Sequence, residues 1–230
     1  MIDIHTHILP FVDDGSKDLE SSLNLVRESV SFGVTDLFLT PHYYKSRNYL
    51  SSYQENRKVF DMLVSEGGHL KIPVTLHLGN EIFYQFEAVE KLRQHVVSPL
   101  GNSKMVLIEF VTFEEEEDIV EAIHNMKALG FIPIIAHIER YSYIKNISDY
   151  EIIKKMGALI QINAGSVVGA SGSQSKKLVW KLMKLGLVDF VASDIHTFRK
   201  NYLKDAYELV SKKFDKDYAN HIFHNDIILK

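Results

Sequence analysis

Short, nearly continuous apolar runs alternate along the chain with stretches whose apolar residues recur at helical spacing, and many of those stretches close on a glycine. The first run, Ile2 to Ile8, predicts a strand. Asp18 to Phe32 then carries Leu19, Leu23, Val26 and Val30 on one helical face and stops at Gly33. The alternation predicts further strands over Asp36 to Thr40, Val74 to Leu78, Met105 to Phe110, Ile132 to Ala136, Ala158 to Ile162 and Val188 to Ala192. Helices are predicted over Tyr53 to Val64, ended by Gly67-Gly68, and over Ala88 to Gln94, Glu114 to Leu129, Asp149 to Met156 and Lys176 to Leu185. Two more, Leu203 to Lys213 and Tyr218 to Phe223, finish the chain. Gly165 to Ser175 reads as a Gly/Ser-rich rim loop.

Seven apolar strands, each followed by a helix, imply an α/β fold with a parallel sheet covered by helices on its outside. The count favours a closed or nearly closed barrel, and residues 1–230 are expected to form one domain. Loops at the C-terminal ends of such strands converge on one mouth, where active sites are built. His7, His42, Glu81, Glu109, His137 and Asp194 all stand at those ends. His5 and His7 share a strand face, so both imidazoles can reach one ion. With Asp14 and His196, nine ligand-type side chains are aimed at one place, which is the pattern of a polynuclear metal site.

Composition narrows the chemistry. No cysteine is present, which removes disulfides, thiolate zinc sites and any cysteine nucleophile. Any metal must be held by nitrogen and oxygen, a donor set that suits Mn, Fe or Zn. With 26 basic against 30 acidic residues and no basic block, the chain has no nucleic-acid footprint. No apolar run approaches the ~18 residues of a membrane span. The opening residues lack a signal-peptide pattern, so a cytoplasmic location without membrane insertion is expected.

The opening Met1-Ile2-Asp3-Ile4-His5-Thr6-His7-Ile8-Leu9-Pro10, then Asp13-Asp14-Gly15, Thr40-Pro41-His42, Gly79-Asn80-Glu81-Ile82, Ala136-His137-Ile138-Glu139-Arg140-Tyr141 and Ser193-Asp194-Ile195-His196, carry a resemblance. Together they resemble the bacterial PHP-type tyrosine phosphatases encoded with capsule and exopolysaccharide genes, PHP naming the polymerase and histidinol phosphatase superfamily. The resemblance covers the whole chain. It implies a distorted seven-stranded (β/α)7 PHP barrel with two or three metal ions, usually manganese, at the C-terminal strand ends. It also implies dephosphorylation of a phosphotyrosine segment on a bacterial tyrosine kinase that controls polysaccharide assembly. By the same resemblance His5, His7, Glu81 and Asp194 hold one ion, Glu81, Glu109 and His137 a second, and Asp14, His42 and His196 a third.

A hydroxide bridging two cations is a nucleophile at neutral pH, so cysteine is not needed. Arg140, three residues past His137, is placed to fork onto two phosphate oxygens. His42 or His196, or a metal-bound water, could assist as general acid. Where the family usually has a second arginine beyond the Asp-x-His motif, this chain has Arg199 slightly early, followed by Lys200. Phe83-Tyr84 stands where the family often has an arginine. Tyr43, Tyr44, Lys45 and Arg47, on the long loop after His42, are candidates to gate the mouth.

Other features read as ordinary structure. His77 is expected to be a satisfied core histidine, and His69, His95, His124, His221 and His224 to lie on or near helices in structural or solvated roles. The acidic run Glu114 to Asp118 is read as a helix start rather than a metal trap, since acids in a first turn complement its dipole. Two other functions stay open on sequence alone. One is another PHP phosphoesterase, such as a histidinol-phosphate phosphatase, and the other is a non-catalytic barrel that docks on a kinase and regulates it.

Overall fold

Every pairing between strands is parallel in the computed structural model, which describes residues 1–114 and 118–230. The strands are β1 (Ile2–Asp3), β2 (Asp36–Leu39), β3 (His42–Tyr43), β4 (Thr75–Leu78), β5 (Glu81–Phe83), β6 (Met105–Glu109), β7 (Ile132–Ile135), β8 (Leu159–Asn163) and β9 (Phe190–Ala192). They form two sheets, ordered β1-β2-β4 and β3-β5-β6-β7-β8-β9. Among the described residues there are thus nine short strands in two sheets, where the apolar runs predict seven strands in one.

The difference has local causes. Thr40-Pro41 separates β2 from β3, and proline has no N–H to give a ladder. Gly79-Asn80 separates β4 from β5; Asn80 Nδ2 donates to Pro41 O at 3.1 Å, and its Oδ1 accepts from Ser98 N at 3.0 Å. The first run is a strand only over Ile2–Asp3. Beyond it Thr6 N donates to Thr40 Oγ1 at 3.0 Å and Thr6 Oγ1 to Phe38 O at 2.7 Å, side-chain bonds that replace ladder bonds. The sheets curl until their ends meet, with Asp194 N donating to His5 O at 3.0 Å and His7 N to Ile195 O at 2.9 Å.

Helices cover the outside: α1 (Leu19–Ser31), α2 (Tyr53–His69), α3 (Phe86–Arg93), α4 (Ile119–Ala128), α5 (Ile147–Lys155), α6 (Ala164–Val168), α7 (Ser173–Lys184), α8 (Leu203–Lys213) and α9 (Lys216–Phe223). Three depart from expectation. α2 runs through Gly67-Gly68 instead of stopping there, because a helical glycine costs about 1 kcal/mol without forbidding the helix. α4 begins at Ile119 instead of Glu114, since the Asp118 carboxylate caps it by accepting from Val120 N at 2.7 Å and Glu121 N at 3.2 Å. The expected start over Glu115, Glu116 and Glu117 lies outside the described residues. The expected rim loop contains α6 and the first turn of α7, joined through Gly169 and Gly172, both at φ 99°.

A small inner cluster of Ile2, Ile4, Phe38, Leu107, Ile134 and Phe190 packs beneath the site. Strand parity carries this face upward from Leu107 to Glu109, so an apolar plug supports the polar mouth. Each such buried side chain contributes about 1.5–3 kcal/mol.

Candidate metal centre

Register brings the first members together. His42 of β3 pairs with Glu81 of β5, and Glu109 ends the neighbouring β6 opposite Phe83. His5 and His7 enter from the segment after β1, Asp14 from the loop beyond it, His137 from the end of β7, and Asp194 and His196 from the end of β9. His137 and Asp194 turn inward through left-handed backbone, with φ of 28° and 50°. Such conformations are costly for residues other than glycine and persist where the surroundings impose them.

Glu81 is the hub. Its Oε2 lies 3.2 Å from both His5 Nε2 and His7 Nε2 and 3.0 Å from His42 Nδ1, and its Oε1 lies 3.0 Å from His137 Nε2. Glu109 approaches His137 Nε2 at 3.4 Å and His42 Nδ1 at 3.7 Å. Asp194 Oδ1 stands 3.8 Å from His5 Nε2, 3.6 Å from His7 Nε2 and 3.5 Å from His196 Nδ1. Asp14 Oδ1 faces His196 Nε2 at 3.5 Å and His42 Nε2 at 3.7 Å. All nine residues named from the sequence therefore converge. Among the described residues, donor atoms close enough to share an ion occur in three sets, His5/His7/Glu81, His42/Glu81/Glu109 and His7/Asp14/His42/His196.

A supporting layer fixes which nitrogen is free on three of the five imidazoles, those of His5, His7 and His196. The Asp194 carboxylate accepts from Asn163 Nδ2 at 2.8 Å, which leaves Asn163 Oδ1 to accept from Gln161 Nε2 at 2.8 Å. Gln161 Oε1 then accepts from His137 N at 2.8 Å and from His5 Nδ1 at 3.1 Å. With its proton on Nδ1, His5 turns a bare Nε2 to the site. His7 Nδ1 donates to Asp13 Oδ2 at 2.8 Å and His196 Nδ1 to Asp194 O at 3.1 Å, so their Nε2 atoms are free as well. Sequence reasoning missed Gln161, Asn163 and Asp13. Gln161 was detectable as a polar residue inside an apolar strand.

These residues fit a metal. With their Nδ1 atoms committed to Gln161 and Asp13, the Nε2 atoms of His5 and His7 face each other at 3.2 Å, a pair that needs either a proton or a metal ion between them. Donors about 2.1 Å from a shared ion stand at such separations. Asp14 Oδ1, Glu109 Oε2 and His196 Nε2 are buried without a hydrogen-bond partner. Burial pushes the Glu81 carboxyl up, but His5, His42 and His137 outweigh it and hold it well below its ordinary value. Burial likewise opposes ionisation of Asp194, and His5, Arg199 and His7 overcome it. Burial lowers His7 and His137, yet Asp13 and Glu81 hold His7 well above its usual range, and Glu109 and Glu81 bring His137 to about 9. A field that draws protons onto buried imidazoles is one that attracts cations, and metal and proton compete for these nitrogens.

Both arginines reach this site. Arg199 donates to Asp194 Oδ2 at 2.7 Å, and Arg140 NH1 lies 3.9 Å from the same oxygen. Glu139 does not pair with Arg140; it is buried and accepts from Asn163 N at 3.0 Å. On the rim Tyr44 stacks on Phe83 with centroids 3.8 Å apart, and Tyr49 stacks on His42 at 5.8 Å. His77 lies away from the cluster, 3.0 Å from Asp36 and stacked on Phe38.

Residues 1–228 match the family described as "Capsular polysaccharide synthesis, CpsB/CapC". The chain is 35% identical to the tyrosine-protein phosphatase CpsB of Streptococcus agalactiae, over 97% of this chain and 95% of that one. It superposes with a TM-score of 0.88 and 31% identity on a structure described as YwqE from Bacillus subtilis and CpsB from Streptococcus pneumoniae, metal-dependent tyrosine phosphatases, covering 95% and 90% of the two chains. Histidinol phosphate phosphatase of Lactococcus lactis matches with a TM-score of 0.60 at 9% identity, covering 93% and 94%, a likeness of fold alone.

Proposed function

The chain belongs to the CpsB/CapC family of capsular polysaccharide synthesis, and on that premise we propose that it is a metal-dependent protein-tyrosine phosphatase acting on a tyrosine kinase of that pathway. The observation that carries this reading is the convergence of five histidines and four carboxylates in one cluster, with Glu81 touching four of the histidines and two arginines beside the cluster. We read the fold as one PHP barrel over residues 1–230, with β2–β3 and β4–β5 each an interrupted barrel strand. No helix among the described residues is long and apolar enough to cross a membrane; we place the protein in the cytoplasm, with the phosphotyrosine segment of a bacterial tyrosine kinase as its partner.

His5, His7, Glu81 and Asp194 would hold one manganese ion, Glu81, Glu109 and His137 a second, and Asp14, His42 and His196 a third. When bound, the metals supply an acidified water as nucleophile and positive charge for the phosphoryl oxygens. Gln161 and Asp13 keep the His5 and His7 tautomers correct. Arg140 and Arg199 are each 39% exposed at the side chain and anchored toward Asp194, so both turn N–H groups to the mouth. There they can hold two phosphate oxygens and stabilise their charge in the transition state. The phenolate, with a parent pKa of about 10, leaves with little assistance. His42 or His196, both facing Asp14, could deliver a proton only in a state where its Nε2 is protonated and not bound to the third ion, and otherwise the proton comes from water.

The test compares kcat/KM on phosphotyrosine and phosphoserine versions of one peptide and on histidinol phosphate, with manganese and after chelation. Phosphotyrosine should be preferred by roughly two orders of magnitude, on the scale of general acid catalysis that an alkoxide would require. Equal rates on the two peptides, or a higher kcat/KM on histidinol phosphate, would overturn the assignment.

A further inference from the structure

Beside the ligand cluster lies a groove of about 790 Å³. That volume is in the range of sites that enclose ligands well beyond a single aryl phosphate. Arg140 and Arg199 line it beside Asp194, and Lys200, whose ammonium lies 3.4 Å from Asp205, is also on the wall. Away from these residues the lining changes character. The segment after β7 contributes Ser142 and Ile144, and the start of α7 contributes Gln174, Ser175 and Leu178. Apart from Glu139, whose buried carboxylate is committed to Asn163 N, this remainder carries hydroxyl, amide and apolar groups and no charge.

We propose that this groove seats the polypeptide flanking the phosphotyrosine, with Ser142, Ile144, Gln174, Ser175 and Leu178 as its specificity-determining walls. The inference rests on the phosphatase reading above and names the substrate it selects: an extended segment with small, uncharged residues beside the phosphotyrosine. A phosphate held by Arg140 and Arg199 sits in the groove's cationic part, so the chain attached to it extends along the uncharged part. Hydroxyls and amides there can satisfy a peptide backbone, and Ile144 and Leu178 can cover small side chains. A charged flanking residue would lose water without gaining a partner.

The test uses the full, manganese-loaded chain with free phosphotyrosine, a nine-residue phosphotyrosine peptide with Gly, Ser and Ala flanks, the same peptide with Asp and Lys flanks, and glucose 1-phosphate. KM should fall roughly tenfold or more from free phosphotyrosine to the uncharged peptide at similar kcat, the signature of binding shared by ground and transition states. The charged flanks should forfeit that gain. Ser171 and Gln174 both line the groove and are exposed, so Ser171→Trp and Gln174→Trp should fold and narrow it. Each should lower the ratio of kcat/KM for the uncharged peptide to that for free phosphotyrosine by roughly tenfold. A KM independent of peptide length, a ratio unchanged in both variants, or faster turnover of glucose 1-phosphate would overturn the groove assignment. Turnover of none of the phosphotyrosine substrates by the unmodified protein is a different result, and would remove the phosphatase reading along with it.

Discussion

Gln161 touches no proposed substrate atom, yet one amide oxygen sets both the His5 tautomer and the position of the His137 backbone. Gln161→Leu keeps the volume and removes that control. Metal affinity should fall about 10–100-fold, the usual consequence of losing a hydrogen-bond partner behind a ligand, and titration with manganese checks it. Arg140→Ala should behave oppositely, retaining its metals while kcat/KM on a phosphotyrosine peptide drops roughly a hundredfold or more, as when one oxyanion donor is removed. Loss of metal in Arg140→Ala, or full kcat/KM, would contradict its role. The convergence of the nine donors was legible because six of them stand where apolar runs end and His5 shares a strand face with His7. The layer behind them was not, because Asp13 is one of two adjacent acids and only folding shows that it, rather than Asp14, backs His7. The second arginine needed the structure too: position along the chain could not tell that Arg199 reaches back to Asp194.

At the scale of elements, the order of strands and helices followed from periodicity, whereas their breaks and ends did not. Hydrophobic spacing records which face is buried, and it is silent about where Pro41 or Asn80 interrupts a ladder. Glycine was read too strictly as a stop at Gly67-Gly68 and too loosely as loop at Gly169 and Gly172, where it joins two helices. Docking of the outer helices carries a pH dependence of definite sign. The Tyr218 hydroxyl of α9 donates to Met183 O of α7 at 2.8 Å, and Tyr150 of α5 donates to Ile144 O at 3.3 Å. Burial pushes both phenols up to about 12. A phenol raised above its unfolded value of about 10 contributes stability that is complete below that pH and is lost as pH climbs toward 12. The denaturant midpoint should therefore fall between pH 10 and pH 12 for the unmodified chain, and less steeply for Tyr218→Phe. Identical slopes in the two proteins would contradict this.

For the whole molecule, two opposed demands meet in one curled pair of sheets. The inner cluster around Leu107 and Ile134 stabilises the curl, while the mouth above it concentrates buried carboxylates and imidazoles that burial alone would neutralise. Bound cations would resolve that conflict, since positive charge between the imidazole nitrogens and the carboxylates would replace the water they lack. The central claim is that these nine side chains hold the ions on which hydrolysis depends. Elemental analysis of an active preparation, with phosphotyrosine-peptide hydrolysis followed as manganese is removed by chelation and returned, tests it most directly. Two or three transition-metal ions per chain, with activity lost on chelation and restored by manganese, is the predicted result; one ion or none in a fully active sample would contradict it.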